Sequence, residues 1–178
     1  MTNHGSDNLS WIEPRLAVGG ALGESSIPTL RDRLGFTHVV DVRSELQDDP
    51  ELFRAHGMEL LRLPTADHHA ISEALLTRGV AWVRAQLDAG GSVYVHCEHG
   101  IGRSVLLAWC VMVARGESIS VALSRIKAAR PIASPSPAQI HALLAFARSY
   151  TSELPSWEAL ADLAYAHLRG PSAGSGRS

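Results

Sequence analysis

A cysteine and an arginine six residues apart, Cys97 and Arg103, stand between a run of strand formers and a run of apolar helix formers. The stretch reads Val93-Tyr94-Val95-His96-Cys97-Glu98-His99-Gly100-Ile101-Gly102-Arg103-Ser104 and continues as Val105 to Ala114. Val93, Tyr94 and Val95 favour a strand, Gly100 and Gly102 let the backbone fold back on itself, and the apolar run suits a buried helix. In such a strand, loop and helix the N–H groups of Glu98, His99, Gly100, Ile101 and Gly102 can converge on one point. The unpaired amides and dipole of the following helix add to the same positive potential. This is an anion cradle, and phosphate fits it. The same potential favours the nucleophilic thiolate of Cys97. Arg103 offers a planar fork that grips two phosphoryl oxygens at once, and the Ser104 hydroxyl can hydrogen-bond the sulfur. A cysteine alone between a strand and a helix is usually an inert buried thiol; Arg103, Ser104 and Gly100 in register reverse that reading.

The segment His96-Cys97-x5-Arg103-Ser104 resembles the signature of the protein tyrosine phosphatase superfamily. The spacing elsewhere is similar to its small dual-specificity branch, over roughly residues 11–150. A phosphoester also needs a proton donor for its leaving oxygen. Asp67 is the candidate: it lies on a polar loop after a strand, and its separation from Cys97 is similar to that of the general-acid aspartate in dual-specificity phosphatases. Asp41 and Asp49 are the rivals. The resemblance implies that Cys97 attacks phosphorus in line, Asp67 protonates the leaving group, and a phosphocysteine forms. Water then hydrolyses it with Asp67 as base, while Ser104 stabilises the departing thiolate and Arg103 holds the equatorial oxygens. His96 takes a structural part, its ring bonded to backbone beside the thiolate. No metal or other cofactor is required.

The expected activity is hydrolysis of phosphotyrosine and phosphoserine/threonine on a phosphorylated protein substrate. Nothing resembles the N-terminal aromatic loop that walls the deep pocket of the tyrosine-specific branch, so a shallow pocket is expected. A small phosphoester, a metabolite or an inositol phosphate, is the alternative substrate. Glu98 argues against the polyanionic headgroups, because related lipid phosphatases often carry lysine or arginine in this loop. A non-catalytic phosphate-binding module is the alternative of another class, but it has no need of Cys97 or Asp67. Persulfide transfer leaves Asp67 and Ser104 without a task. A metal site built from His68, His69, His96, Cys97 and His99 is disfavoured: the loop's side chains point outward, and Arg103 opposes a cation. Cys110 lies roughly 10 Å further up the helix at 1.5 Å per residue and reads as core. One departure from the family is that Pro135 is followed by Ser136, where an asparagine is common.

These residues need a frame to hold them. Leu16 to Val18 and Phe36 to Val42 read as strands, and Met58 to Leu63 as a third, ended by Pro64. Ile27, Leu30 and Leu34 fit a short helix within Leu22 to Leu34 closed by Gly35, and Pro50 starts a helix that stops at Gly57. Ile71 to Asp88 is the clearest amphipathic helix, with Ser72 as its cap and Leu76, Val80, Val83 and Leu87 in one stripe. Helices follow from Ser118 to Arg130, from Pro137 to about Tyr150, and from about Ser156 to Leu168. Alternating strands and helices predict a single layered α/β domain with a central, mostly parallel sheet; the resemblance implies that it is a three-layer, protein tyrosine phosphatase-like domain with about four to five strands.

At 178 residues and 46% hydrophobic content the chain suits one core. The expected organisation is a disordered N-terminus (1–10), a dual-specificity phosphatase-like catalytic domain (11–150), an extra C-terminal helix (151–168) and a disordered tail (169–178). A net charge of −2 with dispersed basic residues gives no nucleic-acid footprint. Two cysteines make no disulfide framework, the first ten residues are polar, and the longest apolar run is about half a membrane span. A cytoplasmic protein with no membrane partner is expected, as a monomer.

Overall fold

The computed structural model describes residues 8–169. Five strands, β1 (Leu9–Glu13), β2 (Leu16–Gly19), β3 (His38–Arg43), β4 (Glu59–Thr65) and β5 (Val93–His96), form one sheet in the order β1-β2-β5-β3-β4. The β1–β2 pair is antiparallel and the other three pairings are parallel. Six helices complete the chain: α1 (Pro50–Ala55), α2 (Glu73–Asp88), α3 (Arg103–Ala114), α4 (Ile119–Ala129), α5 (Pro137–Ala147) and α6 (Trp157–Ala164).

Alternation along the strands sorts the core into two layers. Val18, Val40, Val42, Val93 and Val95 face α2 to α6 through one apolar cluster. Ala17, Val39 and Tyr94 face the other way, against Ile27, Leu30, Phe36, Phe53 and Met58. The result is the layered α/β arrangement that the alternating pattern predicts, with the three layers that the resemblance implies. All twelve residues of α3 are buried, which makes it the central helix. Its length of apolar surface explains why the run from Val105 lacks a polar face.

The helix starts follow the capping residues: Ser72, Ser118, Ser136 and Ser156 each accept a main-chain N–H of the first turn, and Asp49 does so for α1.

Three local expectations are corrected. Leu9 and Ser10 are not a loose end: they begin β1, an edge strand whose Trp11 stacks on Phe36 at 4.6 Å between ring centroids. Residues 1–7 of the expected N-terminal disorder, and 170–178 of the expected tail, lie outside the described residues. The helix expected over Leu22–Leu34 is two short turns, Glu24–Ser26 and Thr29–Arg33, the second closed by Leu34 N–H to Thr29 O. Pro28, without an N–H, interrupts the ladder between them. Strand β4 runs through Pro64 to Thr65, which an edge strand tolerates because one row of its N–H groups has no partner to lose.

The last helix docks on the chain's own core. Leu160, Ala161 and Ala164 are buried in the larger cluster, and Trp157 stacks on His141 of α5.

Candidate active site

Strands β3, β4 and β5 run parallel, so the loops that leave their C-terminal ends emerge at one edge of the sheet, where open α/β sheets bind ligands. The register brings Gly19 and Asp41 level with His96. Cys97 follows His96 at the edge, donating its N–H to Gly19 O at 3.4 Å.

The loop from Cys97 to Gly102 curls with its carbonyls outward. Arg130, 4% exposed, collects two of them, with Nε donating to Gly100 O at 2.6 Å and Nη2 to His99 O at 2.9 Å. The N–H groups of Glu98 through Gly102 donate to no other group among the described residues. Gly100 has φ +70°, and a Cβ there would lie 2.3 Å from the main chain of Gly19. No other residue fits that turn. Helix α3 begins at Arg103 with no side chain capping it, so its first amides add to the same cradle.

Cys97 is 3% exposed, and its Sγ lies 3.3 Å from Ser104 Oγ. Arg103 is 2% exposed. Its Nη1 and Nη2 donate to Glu45 Oε2 and Oε1 at 2.8 and 2.7 Å, a bidentate pair, and Nη1 also donates to Thr65 O at 2.8 Å. Asp67 Oδ1 stands 3.0 Å from Nη2. The buried Nε–H has no partner among the described residues. A buried guanidinium donor left open beside free loop amides is a place for an anion oxygen. Burial works against the charge of Arg103, but the hydrogen bonds to Glu45 and the nearby carboxylates outweigh it and hold the guanidinium charged. The Arg103 hydrogen bond pulls the Glu45 carboxyl down to about 2.

A cavity of about 240 Å³ opens over these groups, lined by Asp67, His68, Cys97, His99, Ile101, Gly102 and Arg103, and by Ser134, Ser136 and Gln139 from the segment leading into α5. Thus Cys97, Asp67, Arg103 and Ser104, named from sequence, come together. Asp41 does not join them: it is fully buried and taken by Arg43 and by the Asp48 N–H. Asp49 is the cap of α1.

Glu98 is placed differently from its neighbours. Its Oε2 accepts from Arg43 Nη1 at 3.2 Å, and it lines a second cleft together with Arg43 and Asp48. His96 Nε2 pairs with Asp48 Oδ2 at 2.8 Å instead of with backbone, and its ring stacks on Tyr94. Burial raises the Asp48 carboxyl, but His96 and Arg43 outweigh it and leave it below the usual range. Asp41, Asp48 and His96 are close enough to hold a metal ion, yet the Arg43 guanidinium already bonds both aspartates. That cation fills the role. Of the histidines weighed for a metal site, His96 belongs to that group beneath the loop, while His68 and His99 line the cavity.

Sequence reasoning missed Glu45, Asp48, Arg130 and Gln139. Only Gln139 left a signal, since Ser136-x-x-Gln139 has the spacing of a capping box, and that box is formed. The other three are charged residues whose partners are remote in the chain.

A family model described as dual specificity phosphatase, catalytic domain, matches residues 20–149. Human dual specificity phosphatase 28 is 35% identical over 130 residues, 71% of this chain and 70% of that protein. The phosphatidylglycerophosphate phosphatase PTPMT2 of Arabidopsis thaliana is 26% identical over 141 residues, 77% of this chain and 61% of that protein. Among solved structures, Tk-PTP in the active form superposes with a TM-score of 0.73 at 26% identity, covering 80% of this chain and 98% of that one.

Proposed function

The chain belongs to the dual-specificity phosphatase family and is a phosphoric monoester hydrolase, and from that premise we propose that it dephosphorylates phosphoproteins through a phosphocysteine intermediate. The open Nε–H of Arg103 beside the free amides of the Cys97 loop carries this reading. A phosphoryl group seated there presents phosphorus to Sγ of Cys97. The S–P bond forms as the P–O bond to the leaving group breaks, and Asp67, held at the rim by Arg103 Nη2, delivers the proton that the leaving oxygen needs. Water then attacks the phosphocysteine with Asp67 taking its proton, and the Ser104 hydroxyl, 3.3 Å from Sγ, stabilises the sulfur as it departs. Arg103 grips the equatorial oxygens throughout. The catalytic domain expected over 11–150 extends back to Leu9 through β1, and the expected location is the cytoplasm; no helix among the described residues is long and apolar enough to cross a membrane.

One observation favours a second substrate class, an inositol or lipid phosphate. Glu98, the residue that spoke against polyanionic headgroups, is turned to Arg43 and does not line the cavity. The likeness to a phosphatidylglycerophosphate phosphatase supports the same alternative.

The test is hydrolysis of para-nitrophenyl phosphate with a chelator present, comparing the unaltered protein with Cys97→Ser. Activity that survives the chelator and disappears with the thiol is expected. Turnover by Cys97→Ser rejects the phosphocysteine. Phosphopeptides against inositol phosphates and phosphatidylglycerophosphate then separate the two substrate classes, with faster turnover of the phosphopeptides expected.

A further inference from the structure

The loop that carries Asp67 has little of its own to hold it. Inside the loop, His68 N–H donates to Asp67 Oδ1 at 2.9 Å, His69 Nδ1 pairs with Asp67 O at 2.9 Å, and His69 N–H reaches Ala66 O at 3.2 Å. His68 takes φ +60°, in the left-handed region that residues other than glycine seldom occupy. A segment of this kind keeps its shape only where its surroundings over-determine it.

The surroundings are Arg103, whose Nη2 stands 3.0 Å from Asp67 Oδ1, and, for His68 and His69, the first turn of α5. Ser136 Oγ donates to His68 O at 3.3 Å, and Gln139 Nε2 donates to His69 O at 3.0 Å. The same two residues form the capping box of α5, in which Gln139 Oε1 accepts Ser136 N–H at 2.8 Å. Gln139 is 2% exposed, and its amide touches the phosphate loop as well: a Cβ on Gly102 would come within 2.7 Å of Gln139 Oε1. One amide group therefore joins the helix start, the Asp67 loop and the Cys97 loop.

The segment before α5 is itself braced. Ser134 N–H donates to Ile101 O at 2.8 Å, and Lys127 Nζ donates to the carbonyls of Pro131 and Ala133, each at 2.7 Å. Tyr165, at the end of α6, donates its hydroxyl to Pro135 O at 2.7 Å. Tyr165 lies beyond residue 149, where the match to the family ends.

We propose that Ser136 and Gln139 form a latch that holds the Asp67 loop over the phosphate cavity, anchored from behind by Tyr165, so that Gln139 and Tyr165 are positioning residues for proton transfer to the leaving group. The inference rests on the reading of Asp67 as the acid. It gives the last helix a task in the reaction: α6 keeps the N-cap of α5 at the height at which its donors reach the loop.

The experiment measures kcat/KM for aryl phosphates that range from good to poor leaving groups, in the full chain and in Asp67→Asn, Gln139→Glu and Tyr165→Phe. Gln139→Glu keeps the volume and the Oε1 acceptor but removes the N–H that His69 O receives. Misplacing an acid penalises the poor leaving groups, which depend on its proton, and spares the good ones. The carboxylate of Gln139→Glu also faces the phosphate and slows every substrate by a common factor, so the reading is the ratio: a loss about fivefold greater on the poorest leaving group than on the best is expected, and for Tyr165→Phe about threefold greater. A purely structural role lowers all substrates alike, and a uniform loss or no loss in both variants overturns the latch while Asp67→Asn keeps its selective loss. An Asp67→Asn enzyme without selectivity overturns the reading of Asp67, and the latch with it. Should Gln139→Glu not fold, Ser136→Ala is judged by the same criterion.

Discussion

Replacing Glu45 by glutamine separates two ways in which a carboxylate can face Arg103, the arginine proposed to grip the phosphate. Glu45 either competes with the substrate for Arg103 or holds the guanidinium in place for it. The geometry favours the second. Glu45 takes the outer edge, Nη1 and Nη2, in a bidentate pair, and leaves Nε open toward the free loop amides. The fall of the Glu45 carboxyl from 4.5 to about 2 would be about 3 kcal/mol in a dry site, but its side chain is 40% exposed and screening brings the pair to the order of 1 kcal/mol. Glutamine keeps the volume and one acceptor, yet it loses the charge and sets an NH2 against a guanidinium donor. A loss of about 1 kcal/mol lowers the melting temperature of a chain this size by about 2–4 °C. With Arg103 less firmly held, kcat/KM is expected to fall by about fivefold to tenfold, and inorganic phosphate or vanadate to bind more weakly by a similar factor.

The pH dependence of stability follows with its sign. A carboxyl depressed in the folded state contributes stability that is fully present above its unfolded value of 4.5 and is lost as pH falls toward about 2. The difference in melting temperature between Glu45→Gln and the unaltered protein should therefore narrow across that window. Calorimetry and a phosphate competition assay read both effects. A variant that melts with the unaltered protein and binds phosphate more tightly would show Glu45 to be a competitor, and the positioning argument would be wrong.

Two further outcomes follow from the loop. Gly100→Ala meets both a φ of +70° and a main-chain contact 2.3 Å from the new Cβ, so it should abolish phosphate binding and lower stability by more than 1 kcal/mol on the order expected for a left-handed site; an active, normally melting variant would show that the loop can shift away from Gly19. Arg103→Lys keeps a charge but loses the fork and one side of the Glu45 pair, so rate and phosphate affinity should both fall by at least about tenfold. Steady-state kinetics with phosphate inhibition checks it, and an enzyme within twofold of the unaltered one removes the bidentate argument.

What was legible in the sequence was local. Cys97, Gly100, Arg103 and Ser104 lie within eight residues of one another, and the strand, turn and helix propensities of that stretch all agree, so the cradle is specified by neighbours in the chain. The helix starts were legible for the same reason, since Ser72 and Ser118 act on amides a few positions away. The two misjudged strand ends show where local rules stop. Pro64 breaks a strand only if its missing N–H is needed, and whether β4 lies at the edge depends on the order of the whole sheet. Leu9 and Ser10 read as part of a loose end until Phe36, twenty-five positions beyond Trp11, is known to lie under that tryptophan's ring and β1 to pair with β2.

The charged residues of the site show the same limit and bear directly on substrate choice. A sequence gives the charge of Glu98 but not its direction, and at a loop where side chains leave on alternate sides, direction decides the effect. Turned to Arg43, Glu98 joins Asp41, Asp48 and His96 in a network beneath the loop, so its carboxylate serves the frame and not the cavity wall. Among the residues that line the cavity Asp67 is the one carboxylate, and His68, His99, Ile101 and Ser134 line it as well. A second anionic group on the substrate meets one carboxylate in that lining, Asp67, and not Glu98. His68 and His99 line that cavity and Glu98 does not, so replacing either histidine by alanine, more than replacing Glu98, is expected to change the ratio of kcat/KM for phosphopeptides to that for inositol phosphates, and an unchanged ratio would refute the argument from placement.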